Sequence, residues 1–127
     1  MKLKGKGKRI DMTDDDLELK DLEQFYGTQN YYESFLGTKA TDGIKYIANN
    51  GYSWLVTDCI VVIKTELKDN SDFFVINLKL KEKNNAEVFI MDGNGKILHT
   101  QIYEYTDAKR ELTLYFQNNV LMLSGEY

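Results

Sequence analysis

One histidine, one cysteine and one oddly placed aspartate are the residues best equipped for chemistry in this chain. His99 falls in an alternating run that puts it on the same strand face as Ile97, Gln101 and Tyr103. An imidazole there acts as a general base only if a nucleophile and an orienting group lie within hydrogen-bonding reach, and no motif surrounds it. The expected role of His99 is therefore structural. Cys59 lies in an apolar run, where a thiol behaves as a small hydrophobe with a raised pKa. Asp58 interrupts the same run, between Trp54-Leu55-Val56-Thr57 and Cys59-Ile60-Val61-Val62-Ile63. A carboxylate left unpaired in such surroundings is costly. It must face water or meet donors such as tyrosine hydroxyls or Lys64; a ligand- or partner-binding role is the alternative. No HExxH, GxSxG, CxxC or Walker-type loop is present. Asp92-Gly93-Asn94-Gly95 lacks the DxDxDG spacing and distal glutamate of a calcium loop, and reads as a turn. The sequence thus points to no catalytic residue, cofactor or metal ligand.

Aromatic residues are the strongest local signal. Of the 16 Phe, Trp and Tyr residues, half fall between positions 25 and 54: Phe25, Tyr26, Tyr31, Tyr32, Phe35, Tyr46, Tyr52 and Trp54. Tyr and Trp give broad rigid contact area with a polar handle, which suits interfaces, although the same residues also serve to cover a sheet. Charge is segregated at the start of the chain. Lys2, Lys4, Lys6, Lys8 and Arg9 form a basic tract, whereas Asp11 to Glu23 holds seven acids against Lys20. The tract cannot bury enough apolar surface to offset its ordering entropy, so residues 1–12 are expected to be a flexible tail and 13–127 a single domain. It has neither the apolar core of a signal peptide nor a glycine at position 2. With Lys+Arg 16 and Asp+Glu 20, the 127-residue chain carries a formal charge of −4, unlike a simple basic nucleic-acid binder. No apolar run is long enough for a spanning helix.

The elements that must position these residues follow from the pattern. Thr13 or a neighbouring Asp caps an acidic helix holding Leu17, Leu22, Phe25 and Tyr26, stopped by Gly27. A short aromatic piece, Tyr31 to Leu36, ends at Gly37. Thr41-Asp42-Gly43 caps a second helix containing Ile44, Ile47 and Ala48, which Gly51 terminates. Ser53 to Leu67 is rich in β-branched residues, yet its length and the spacing of Leu55, Cys59, Val62 and Glu66 predict a buried helix. After Asn70 the period becomes two, with Phe74, Ile76, Leu78 and Leu80 on one face. Val88 and Ile90, Ile97 to Tyr103, Leu112 to Phe116 and Val120 to Leu123 continue the strands, with turns at 92–95 and Asn118-Asn119. The expected fold is α+β: N-terminal helices packed on one face of a four- to five-stranded antiparallel meander. In a chain without proline, the first strand is expected at an edge, guarded by Lys79, Lys81 and Lys83.

Taken together, Phe25-x-Gly27-Thr28-x-x-Tyr31-Tyr32, Thr41-Asp42-Gly43-Ile44-x-Tyr46 and Trp54-Leu55-x-x-Asp58 resemble a small domain family of unknown function carried by bacteria, phages and other mobile elements. Asp92-Gly93-Asn94, Gln101-Ile102-x-x-Tyr105-Thr106-Asp107 and Leu114-Tyr115 through Leu123 are similar to it as well, so the likeness spans about residues 17–127. The chain departs at Ser124-Gly125-Glu126-Tyr127, where the family pattern has Pro-Ser-Glu-Tyr. As a whole it also resembles an anti-CRISPR protein directed at a type VI, RNA-targeting effector. That resemblance implies a non-enzymatic inhibitor, cytoplasmic in a bacterial host, whose partner is a CRISPR effector protein with or without its guide RNA. Partner contact would fall to Asp14, Asp15, Asp16, Glu18, Asp21, Tyr26, Tyr31, Tyr32 and Tyr52, and RNA contact to Lys2, Lys4, Lys6, Lys8 and Arg9. The competing expectation is a small-molecule or nucleotide sponge, or a generic protein-interaction module, with a pocket lined by Tyr46, Trp54, Asp58 and Tyr103. An enzyme would require Asp58 and His99 to meet.

Overall fold

A computed structural model describes residues 30–104, 106 and 108–127. The expected basic tail and acidic helix, with Lys2 to Arg9, Asp14 to Asp21 and Tyr26, lie outside these residues. The described chain runs β1 (Tyr31–Glu33), β2 (Lys39–Thr41), α1 (Asp42–Ile47), α2 (Ser53–Thr65), β3 (Phe73–Leu80), β4 (Ala86–Asp92), β5 (Ile97–Tyr103), β6 (Leu112–Gln117) and β7 (Val120–Leu123).

The class is α+β, but the sheet is larger than the sequence predicts and is not a simple meander. Seven strands lie in the order β1-β2-β7-β6-β3-β4-β5. All neighbours are antiparallel except β2 and β7, which run parallel. The meander is confined to β3-β4-β5; β6 then returns to the far side of β3. That return makes β3 central rather than an edge, so its lysines guard nothing. Lys79 and Lys81 instead face Glu111 at 3.9 Å and Glu87 at 3.1 Å. Among the described residues, two strands also precede the helices. At three residues each, β1 and β2 are too short to display a period of two.

The helical stretch covers one face of this sheet. Thr41 caps α1 by accepting the Ile44 N–H at 3.3 Å. A π-type turn, Ala48–Tyr52, links α1 to α2, and Gly51 takes φ +100° there, a conformation that costs glycine little. Ile44, Ile47, Leu55, Cys59, Ile60 and Ile63 then meet the alternating inward residues of the sheet, among them Ile76, Leu78, Val88, Ile90, Leu114 and Leu121, all buried. Register fixes which residues share that face: Ile76 is opposite Ile90 on one side and Leu114 on the other, and Ile90 is opposite His99. Asn118 and Asn119 both adopt positive φ in the β6–β7 turn, at 56° and 63°. Asp92 Oδ1 accepts the Asn94 and Lys96 N–H groups, closing the β4–β5 turn.

The C-terminus locks the parallel strand pair. Glu126 is only 6% exposed. Its carboxylate accepts the Thr41 hydroxyl at 2.6 Å, the Gly43 N–H at 3.0 Å and the Leu123 N–H at 2.9 Å. One side chain thus satisfies donors at the start of α1 and at the end of β7, although 83 residues separate Gly43 from Glu126. A Cβ on Gly43 would stand 2.5 Å from Glu126 Oε1 and 2.6 Å from Leu123 Cδ1, so the carboxylate fits there because residue 43 is glycine. The motif Thr41-Asp42-Gly43 and the terminal Glu126 are two halves of one contact.

Candidate functional site

Between α2 and the β4–β5 edge lies a cleft of about 260 Å³. The α2 wall supplies Leu55, Asp58, Cys59, Val61 and Val62; the sheet supplies Val88, Ile90, His99, Gln101 and Tyr103. The sheet side follows from pairing. Ala86, Val88 and Ile90 point toward the helix and stand opposite Tyr103, Gln101 and His99, so these three side chains share the cleft face. A bulge between His99 and Ile97 takes Ile97 out of this alternation and leaves it 54% exposed, which corrects the expected common face.

One short contact crosses the cleft. The Tyr103 hydroxyl donates to Asp58 Oδ2 at 2.6 Å. Among the two donors expected for Asp58, the tyrosine is the one used; Lys64 turns away to Asn119 Oδ1 at 2.7 Å. Partial burial, and then the bond to Asp58, hold the Tyr103 phenol well above its ordinary pKa. Trp54 packs against Tyr103, ring centroids 4.7 Å apart, and donates its indole N–H to the Gly51 carbonyl at 3.0 Å. The π-type turn therefore fixes Trp54, Trp54 fixes Tyr103, and Tyr103 orients the Asp58 carboxylate. Among the described residues, Asp58 Oδ1 accepts no hydrogen bond.

Asp58 and Tyr103 line the cleft, Trp54 buttresses it, and Tyr46 packs against the core elsewhere. The apolar lining residues and the polar Gln101 were not singled out from sequence as site residues; the signal for Gln101 was the alternation 99, 101, 103. His99 shares the cleft with Asp58, yet the two are not hydrogen-bonded, and the buried Nε2 of His99 has no partner. No carboxylate–imidazole relay is formed. Among the described residues, no group of three or more His, Cys, Asp and Glu could hold a metal ion.

The remaining expected contact residues are dispersed. Tyr31 is 58% exposed on β1, and Phe35 and Leu36, a few residues further along the chain, are exposed as well. Tyr32 lies under Lys45, whose Nζ is 4.0 Å from the ring centroid, and its phenol pKa is raised by the hydrogen bond to Asp42. Tyr52 is buried in the core, its hydroxyl oxygen accepting the Lys109 and Arg110 N–H groups at 3.1 and 3.2 Å.

Cys59 forms part of the cleft wall but is itself buried. Burial, and then the neighbouring Asp58, push its thiol up to about 12. Above the unfolded thiol's ordinary pKa of about 8.5 the unfolded chain loses this proton first, so it binds fewer protons than the native state. The thiol's contribution to stability is therefore complete below about pH 8.5 and falls by about 1.4 kcal/mol per pH unit as pH rises toward the folded value. We expect Cys59→Val to remove this part of the alkaline slope, as read by urea midpoints between pH 8 and 11. We also expect native Cys59 to resist alkylation at pH 7.

With the geometry in place, comparison with known proteins adds one positive finding. A model of a family of unknown function, DUF6876, matches residues 16–127. The chain belongs to that family. No curated protein and no solved structure matches it. The family's domain thus takes in every residue of the cleft, the Thr41-Asp42-Gly43 cap and Glu126. Among the described residues, no helix is long and apolar enough to cross a membrane.

Proposed function

We propose that this DUF6876 protein is a non-enzymatic binding module whose working site is the α2/β4–β5 cleft. Its ligand is a small compound with an apolar body and a nitrogen donor, cationic or neutral, directed at Asp58. The observation that carries this reading is the oriented carboxylate: Tyr103 holds one oxygen and leaves the other for a ligand, above a floor of Leu55, Cys59, Val88 and Ile90. No Lys or Arg lines the cleft, so phosphate-bearing nucleotides are poorly matched to it. At about 260 Å³ it lies just below the ~300 Å³ lower end of drug-sized ligand pockets, which suits a small compound. A thermal-shift series with the full chain tests this. Aryl amidines and heteroaromatic amines should raise the melting temperature, because a ligand bound only by the native state stabilises it. Matched carboxylates and phosphates should not. A flat response to the nitrogen donors contradicts the proposal.

A second reading has a separate support. Exposed apolar residues on one short stretch, Tyr31, Phe35 and Leu36, are suited to contact with a protein such as a CRISPR effector. In that case Tyr31→Ala with Phe35→Ala should abolish co-elution with a type VI effector, with or without nuclease treatment. Unchanged co-elution, or none with the native chain, contradicts it.

A further inference from the structure

The cleft has two walls, and each carries a polar group that the other does not meet. On the α2 wall, Asp58 gives Oδ2 to the Tyr103 hydroxyl at 2.6 Å and keeps Oδ1 open. On the sheet wall, Gln101 stands next to Tyr103 on the same face, about 7 Å along the strand. A glutamine side chain is shorter than a tyrosine, and where Tyr103 reaches α2 the Gln101 amide does not. Among the described residues that amide makes no hydrogen bond. Both Asp58 and Gln101 are exposed at the rim, whereas Leu55, Cys59, Val88 and Ile90 beneath them are buried. His99, the remaining polar residue of the sheet wall, has its Nε2 buried. The rim therefore offers one carboxylate oxygen on one side and one amide on the other.

We infer that the ligand's polar head is a planar N–C–N unit divided between the walls, one nitrogen on Asp58 Oδ1 and the other on the Gln101 amide; this rests on the cleft being the ligand site. A carboxylate with both oxygens open takes such a head as a fork, through two parallel hydrogen bonds. Tyr103 closes that mode by holding Oδ2. The second nitrogen then needs a partner from the opposite wall, because a polar group stripped of water and left unpaired is costly. Gln101 is the side chain placed to supply it. Its amide carries an acceptor oxygen and donor N–H groups, so by turning over it answers either form of the head. An amidinium donates its second N–H to Gln101 Oε1. A 2-amino heterocycle presents a ring nitrogen, which accepts from Gln101 Nε2. The apolar body behind the head packs between Val61 and Val62, one helical turn beyond Asp58, and Val88 and Ile90 of the sheet. The ligand class narrows from nitrogen donors in general to amidines and 2-amino heterocycles, with Gln101 as the residue that selects them.

Calorimetric titration of the full chain with benzamidine and with benzylamine tests the inference, since both are aromatic cations and only the first has the N–C–N unit. The native protein should bind benzamidine about five- to tenfold more tightly, the worth of one further hydrogen bond. It should likewise prefer 2-aminoquinoline to 3-aminoquinoline, whose two nitrogens are not on one carbon. Gln101→Leu, at an exposed position, should bring the affinities for benzamidine and benzylamine to about the same value, with an unchanged circular dichroism spectrum. Gln101→Glu keeps the side chain's length and an acceptor oxygen, so it should retain the preference for benzamidine. Equal affinities within either pair of compounds for the native chain, or a preference for benzamidine that survives in Gln101→Leu or is lost in Gln101→Glu, would overturn the inference and leave the cleft as the site. Binding of none of the four compounds would overturn the reading of the cleft, and the inference with it.

Discussion

Replacing Glu126 by alanine is expected to destabilise the fold by about 3–5 kcal/mol, because three buried donors lose their shared acceptor at ~1–3 kcal/mol each and the costs overlap. The donors are the Thr41 hydroxyl and the Gly43 and Leu123 N–H groups. An isolated glutamate in a short 3₁₀ turn would ordinarily be replaceable at little cost. Here it joins the start of α1 to the end of β7, and with them the parallel β2–β7 pair. Gly43→Ala attacks the same contact from the other side. Its methyl group would overlap Glu126 Oε1 and Leu123 Cδ1, costing about 1–3 kcal/mol. Since removing the carboxylate also makes room for that methyl, the double variant should lose less than the sum of the single losses. Urea midpoints for the four proteins check both statements. Additive losses would mean that the two residues are not one unit.

The parts of this arrangement that could be read from sequence were those with local causes. Thr41 caps α1, Gly51 breaks the helical path, Asn118 and Asn119 make a tight turn, and the run after Asn70 alternates as a half-buried strand. Each depends on residues within a few positions of one another. The 53–65 helix was legible despite its β-branched content because length and spacing outweighed propensity. What escaped were pairings made at long range. Nothing local in Leu112–Gln117 shows that it lies beside β3 rather than β5, because the choice depends on the path of the 104–111 connection. The parallel contact of β2 with β7 was equally hidden. Ser124-Gly125-Glu126-Tyr127 reads as an end segment until the fold brings Gly43 against it. At the site, the alternation 99, 101, 103 placed the strand residues on one face. Only the register of β4 with β5 and the position of α2 showed that Asp58 and Tyr103 meet.

Asp58→Ala is expected to weaken ligand binding about 10- to 100-fold, the equivalent of one charge-assisted hydrogen bond of ~1.5–3 kcal/mol. Stability should change little, since the Asp58–Tyr103 pair is exposed enough for water to replace the lost partner. Tyr103→Phe separates orientation from charge. It keeps the carboxylate and the Trp54 contact but removes the hydroxyl that holds Oδ2. Its affinity should therefore lie between those of the native protein and Asp58→Ala. Calorimetric titration with benzamidine, an aryl amidine small enough for the cleft, gives all three values. Equal affinities for the native protein and Asp58→Ala would remove the carboxylate from the account.

The most direct test of the binding-module account is a residue-resolved titration of the full-length native chain with benzamidine, followed by the amide resonances. Saturable shifts should concentrate on Leu55 to Val62 of α2, on Val88 to Ile90, and on His99 to Tyr103. No saturable shift, or shifts gathered at Tyr31 to Gly37 instead, would contradict it.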